Sequence, residues 1–301
     1  MILGMNRKGR TGKRSGHTTL QALIEEVDRS EIASVKKIVS EIIDVINDPS
    51  SSAKHLKDII ELDPPLASRV LHRANSAYYA RSRKISDILE AIIWIGFEAV
   101  KELALSQTLS KIFEDNQIVY GYSPISLWKH SVAVAVCGKL IYRREFGQRG
   151  DNAYAAGLLH NIGLIIEDQF LHEDFHKVLK RRITEDVDIP EAESDILGFT
   201  HAQAGAALAG HWDLPDELVS AIGSHHNPGR ESGTYDKIES AIFIADQLCQ
   251  RVEIGFNDIA SQDNDRLDAV VNRFNINNDG LDLILLEVKK KIELMEKDGW
   301  F

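Results

Sequence analysis

Eleven histidines lie in this chain of 301 residues, and eight of them follow position 121. A lone imidazole on an apolar helix usually packs as a satisfied core residue. The surroundings here point elsewhere. His130 follows Leu127 and Trp128 and opens the apolar segment Val132 to Val136. His160 and Asn161 end the run Ala153 to Leu159, His201 starts a segment after Thr200, and His225 with His226 closes Glu217 to Ile222 before Asn227-Pro228-Gly229. Asp246 stands among Phe243, Ile244 and Leu248, where a carboxylate is costly to bury without a partner. A shared divalent cation would satisfy all of these donors. Imidazole nitrogen and carboxylate oxygen suit Fe, Mn, Zn or Ni, and the pattern leads us to expect one ion, two at most. The candidate metal ligands are therefore His130, His160, His201, His225, His226 and Asp246, with Asn161 at the edge of the site. His172 and His176, beside Glu173 and Asp174, read as a solvated face, and His211 as packing with Trp212.

Helices must position these groups. From Leu20 onward apolar residues recur at helical spacing, as in Ile38, Val39, Ile42, Ile43 and Ile46, and period-two runs are almost absent. The expected fold class is all-α. Asp63 before Pro64 reads as an N-cap with proline in the first turn, Ser50 to Ser52 precede another start, and Thr200 with Gln203 reads as a capping box. Gly147, Gly163 and the Asn227-Pro228-Gly229 turn read as stops. Gly121, Ser123 and Pro124 interrupt two long helical patterns, which places a boundary there. The expected organisation is a basic disordered tail over 1–16, a helical lobe over 17–120 and a metal-binding helical bundle over 121–301. The acidic stretch Asn257 to Asp265 reads as a loop or polar helix end.

Composition narrows the function classes. Lys and Arg total 35 against 46 Asp and Glu, a net charge of -11 that argues against a broad nucleic-acid-binding face. The basic residues Arg7, Lys8, Arg10, Lys13 and Arg14 are confined to the tail. Cys137 and Cys249 show no metal or redox spacing, which suits a reducing cytoplasm. No apolar run approaches the roughly 18 residues of a membrane span. A cytoplasmic protein with no membrane or nucleic-acid partner is the expectation.

Two strings carry a resemblance. Ala155-Ala156-Gly157-Leu158-Leu159-His160-Asn161-Ile162-Gly163 resembles the "AAGLLHDIG" core of HD-superfamily phosphohydrolases, with Asn161 in the place of the aspartate. His130 after Leu127-Trp128-Lys129 resembles the first metal histidine of that superfamily, and Asp246 after Ile244-Ala245 its last aspartate. His201 and the pair His225-His226 match the additional histidines of the HD-GYP branch. The stretch from Asp63-Pro64-Pro65 through Ala74-Asn75-Ser76-Ala77-Tyr78-Tyr79, continued by Ile85-Ser86-Asp87-Ile88, resembles the narrower HDOD signature. The resemblance spans Ile32 to Arg251 and implies an HDOD lobe followed by an HD-type bundle. It also implies a regulatory output module of bacterial signalling, a group in which HD-site residues are often lost.

The departures bear on activity. In the resembled hydrolases the aspartate bridges two metals that activate water against phosphorus. Asn161 offers a carbonyl oxygen but no anionic bridge for cations about 3.5–4 Å apart. Leu164 stands where the HD-GYP pattern has a lysine, Ser126 where it has a glutamate, and no Gly-Tyr-Pro motif follows His226. The reading is a regulatory module with a degenerate metal site, working through a signalling partner protein. The alternative is a metal-dependent phosphohydrolase that acts on a nucleotide or other phosphoester with Asn161 in place of aspartate.

Overall fold

The computed structural model describes residues 19–76, 84–114, 117–229, 233–258 and 263–301. The basic tail over 1–16, and Ala77, Tyr78 and Tyr79 at the end of the HDOD signature, lie outside the described residues. The fold is all-α, and among the described residues no strand forms beyond an isolated bridge between Val119 and Tyr122.

The first helices are α1 (Leu20–Val27), α2 (Ile32–Asn47), α3 (Ala53–Glu61), α4 (Pro64–Ala74), α5 (Ile88–Ile95) and α6 (Phe97–Ser110). In α2 the buried residues Val35, Val39, Ile42, Ile43 and Ile46 form one stripe, which faces α3 and α6. Asp63 caps α4 by accepting the Leu66 amide, with Pro64 in the first turn, as the sequence predicts. The Asn75 side chain bonds both the amide and the carbonyl of Ile85, so this part of the signature pins the chain that returns after α4.

After a 3-10 turn at Lys111–Phe113 come α7 (Pro124–Arg144), α8 (Asp151–Leu159), α9 (Ile162–Phe170), α10 (His172–Glu185), α11 (Ile189–Ile196) and α12 (His201–His211). They are followed by α13 (Asp216–Gly223), α14 (Asp236–Arg251), α15 (Asn264–Arg273) and α16 (Asn278–Lys297). α7 is buried on nearly every side from Leu127 to Gly138, and α8, α14 and α16 pack around it. A helix apolar all round belongs at the centre of a bundle. Small residues on α8 permit the closest approach: a Cβ on Gly157 would stand 2.5 Å from the Ala135 Cα of α7.

The two groups of helices meet across a packed surface. Lys36 of α2 donates to the His211 carbonyl at 2.9 Å, Ser40 to the Trp212 carbonyl at 3.2 Å, and Asn152 to Asn47 Oδ1 at 2.9 Å. Buried Lys101 on α6 lies 3.5 Å from Asp151 at the start of α8.

Candidate metal centre

Each candidate side chain comes from a different place in the bundle. His130 lies two turns into α7, His160 ends α8, Asn161 precedes α9, His201 starts α12, His225 and His226 follow α13, and Asp246 is in mid-α14. The capping box at Thr200 and Gln203 forms and sets the first turn that carries His201. Gly163 is no stop. It sits in the first turn of α9, where a Cβ would stand 2.0 Å from the His201 carbonyl, so its bareness lets α12 dock.

The hydrogen bonds at the outer nitrogens orient the imidazoles. His160 Nδ1 donates to the Gly157 carbonyl at 2.7 Å and His225 Nδ1 to the Ile222 carbonyl at 2.6 Å. His201 Nδ1 lies 2.9 Å from both Glu193 oxygens, and its backbone N–H donates to Glu193 at 2.8 Å. With the proton on Nδ1, each Nε2 presents a lone pair to the interior. Metal-binding histidines are held in this way by carbonyls and carboxylates behind them.

The lone pairs then face one another. His201 Nε2 is 2.9 Å from His226 Nε2 and 3.3 Å from His225 Nε2. Such approaches are repulsive between neutral acceptors unless a proton or cation lies among them. His130 has the same difficulty with oxygen, its Nδ1 3.1 Å from the Ile254 carbonyl and its Nε2 2.8 Å from Asp246. His160 Nε2, 3.7 Å from Asp246, and the Asn161 Oδ1 are buried without a hydrogen-bond partner among the described residues.

Two adjacent donor sets result: His130, His160 and Asp246 in one, and His201, His225, His226 and Asp258 in the other. The His160 and His225 rings, 5.0 Å apart, link them. Asp258 lies in the loop expected over Asn257 to Asp265, and it joins the site as a donor absent from the sequence-derived set. It is buried, and its Oδ2 lies 3.5 Å from His201 Nε2 and 3.4 Å from His226 Nε2. Gln250, one turn after Asp246, donates to both Asp246 oxygens at 2.9 Å and to Asp258 Oδ1 at 2.8 Å. Nothing in the local sequence marks Asp258, Glu193 or Gln250.

Burial dominates the electrostatics. It holds the His160 imidazole down at about 4, and it pushes His225 and His226 well below the usual histidine range, neighbouring histidines adding to the effect. Burial also works against charge on His130 and His201, but Asp246 and Glu193 outweigh it and raise both. The Asp258 carboxyl is pushed up to about 6, first by burial and then by Asp246. Glu167 on α9, wholly buried, is raised well above its ordinary value by burial and by Glu193.

The remaining histidines sit apart. His211 Nε2 contacts Asp28 at 2.6 Å near the surface, so its ring is engaged by α1 rather than set aside for Trp212 packing. His172 and His176 are partly exposed and lie beside Asp168, with donor atoms of the three within 4.8 Å of one another.

The HDOD domain profile matches residues 32–228. An HDOD domain protein of unknown function from Geobacter sulfurreducens superposes with a TM-score of 0.75 at 28% identity, covering 94% of this chain and 98% of its own. A Marinobacter aquaeolei VT8 protein with a provisional signal-transduction name has a TM-score of 0.72 at 23% identity, covering 94% of this chain and 68% of its own. A Shewanella amazonensis SB2B protein with a provisional phosphohydrolase name has a TM-score of 0.65 at 23% identity, covering 93% of this chain and 95% of its own. An uncharacterized protein of Treponema pallidum (strain Nichols) is 22% identical over 222 residues, 71% of this chain, which spans 42% of that relative's length. With the helical architecture in place and a profile match over well more than half of its length, the chain belongs to the HDOD domain family.

Proposed function

We propose that this HDOD protein is a cytoplasmic signalling output module of a bacterium, in which the HD-type site holds a divalent metal for structural or sensory use and the readout passes to a partner protein. The residues fit a cation. The Nε2 atoms of three imidazoles and a carboxylate converge, and His160 Nε2, Asn161 Oδ1 and Asp258 Oδ2 are buried without hydrogen-bond partners among the described residues. A divalent ion bound there would satisfy the lone pairs, offset the carboxylates and, in hydrolases of this kind, polarise a phosphoryl oxygen.

Closure of the site carries the regulatory reading. His130, His160, His201, His225, Asp246 and Asp258 are each 0–1% exposed, and only His226, with 18% of its side chain exposed, reaches solvent. A nucleotide could not bring phosphorus to these donors without the helices parting. The two flanking positions named above supply neither the lysine nor the glutamate of the resembled hydrolases: Leu164 is a buried core residue, and Ser126 is spent in a capping box with Ser123, while Arg266 approaches the rim by donating to the His226 carbonyl at 3.1 Å. In this reading the chain's own residues hold and orient the ion.

Two adjacent donor sets favour the second reading, a metal-dependent phosphohydrolase, because two-metal hydrolysis uses neighbouring ions. One experiment divides the two. Protein reconstituted with Mn, Fe or Zn and assayed against a panel of nucleotide and model phosphodiesters should bind metal without metal-dependent turnover. Turnover that vanishes in His160→Ala would replace the regulatory reading with the enzymatic one.

A further inference from the structure

We propose that His201, His225, His226 and Asp258 form a complete four-donor metal site, separate from the three-donor set His130, His160 and Asp246, with Asp258 supplying the negative charge that Asn161 lacks. The proposal rests on the metal-holding reading above.

Geometry carries it first. For metal–nitrogen and metal–oxygen bonds of about 2.0–2.1 Å, the edge of a tetrahedron is about 3.3 Å. The donor atoms stand at 3.3 Å for His201 and His225, 3.4 Å for His226 and Asp258, 3.5 Å for His201 and Asp258, and 2.9 Å for His201 and His226. All four donors lie within 4.8 Å of one another. The second set has three donors only, with His130 2.8 Å and His160 3.7 Å from Asp246. Four protein ligands close a tetrahedral ion to solvent, whereas three leave a position open.

The chain delivers Asp258 deliberately. Gly255, with φ of +79°, lies so close to α7 that a Cβ would stand 2.4 Å from the Ser126 carbonyl and 2.5 Å from the His130 nitrogen. Phe256 N–H donates to that Ser126 carbonyl at 3.0 Å, and Ile189 N–H at the start of α11 donates to the Asp258 carbonyl at 3.0 Å. The segment is thus fixed two residues before the acid and at the acid's own carbonyl. Gln250 holds Oδ1, and Oδ2 is left buried and without a hydrogen-bond partner, facing two imidazoles.

The two sites differ in what they do. The closed set is a structural site that exchanges its ion slowly. The three-donor set, one protein ligand short, holds its ion less tightly and releases it faster, and it is the part that could report metal supply.

The test uses the full-length chain, stripped by chelator, reloaded with Zn2+ and counted by native mass spectrometry, with Co2+ visible absorption reporting coordination. Wild type should hold two ions, one released by chelator at least tenfold more slowly than the other, and Co2+ in the slow site should show the intense bands of a four-coordinate centre. Asp258→Asn should lose the slow ion or bind it at least tenfold more weakly, with the fast ion retained, and Asp246→Asn should do the reverse. His226→Gln, at the exposed edge, provides the same reading without touching the loop if Asp258→Asn does not fold. A single ion lost in His160→Ala but unaffected in Asp258→Asn and His226→Gln would overturn the second site and leave the metal-holding reading standing. No ion in the wild type would overturn both.

Discussion

Asn161 and His160 sit side by side at the junction of α8 and α9, and each offers the interior one buried atom that nothing in the described chain satisfies. Asn161→Asp adds a negative charge at almost constant volume. It should raise metal occupancy of the His130, His160 and Asp246 set without changing the fold, measured by metal analysis and circular dichroism on matched preparations. Equal or lower occupancy would remove position 161 from the site. His160→Ala should lower metal content and the metal-dependent gain in Tm together, because an ion that binds only the native state stabilises it by mass action. His160 also predicts a pH dependence. Burial lowers its imidazole from an ordinary 6.5 to about 4, so between those values the unfolded chain takes a proton that the native state refuses. The contribution of His160 to apo-protein stability is therefore complete above 6.5 and declines as pH falls toward 4. The stability gap between apo wild type and His160→Ala should shrink across that window; a gap that widened on acidification would contradict the assignment of a neutral imidazole.

Helix packing depends on glycines whose roles differ by position. Gly157→Ala forces a Cβ to within 2.5 Å of the Ala135 backbone and should cost about 1–3 kcal/mol or more, since neither α7 nor α8 can yield without disturbing the core. Gly210→Ala is the same change on α12, but no atom lies within 4 Å of the added Cβ. There the substitution should stabilise by about 0.5–1 kcal/mol through helix propensity. Urea unfolding of the two variants checks the pair, and similar effects at both positions would refute the packing argument. Thr200→Ala removes one half of the capping box and should cost about 1 kcal/mol, with part of the loss appearing as weaker metal binding because His201 is the next residue.

Lys101 joins the two groups of helices. Its ammonium is buried between Glu98 at 3.0 Å and Asp151 at 3.5 Å, with the Phe97 ring 4.9 Å away. Removing one partner of a buried pair costs about 3–5 kcal/mol, and the figure here falls to roughly 2–3 kcal/mol because Glu98 and Arg149 reach solvent. Lys101→Met should therefore lower the midpoint of a single transition in which circular dichroism and tryptophan fluorescence coincide. Two separate transitions would show that the helices before and after 121 unfold on their own. We also expect that nicking the chain near Gly121 leaves both parts associated, since Lys36, Ser40 and Asn47 bond to the later helices.

The all-α class, the caps at Asp63 and Thr200 and the burial of the donors at helix ends were legible from residue order, because they depend on neighbours three or four positions away. The histidines were legible for a related reason: a polar group inside an apolar run must find compensation nearby, whatever the packing. Gly163 misled, since a glycine ends a helix or admits a neighbour with the same single letter, and the difference lies in the His201 backbone that comes against it. Asp258, Glu193 and Gln250 could not be found at all. Asp258 follows a short irregular segment with no periodicity, and it enters the site because Gly255 and Phe256 are held by α7 and its own carbonyl by Ile189. Local physics was enough to say which side chains need a partner, but the division into a closed set of four and an open set of three depends on contacts between residues far apart in the chain, which only the packed bundle decides.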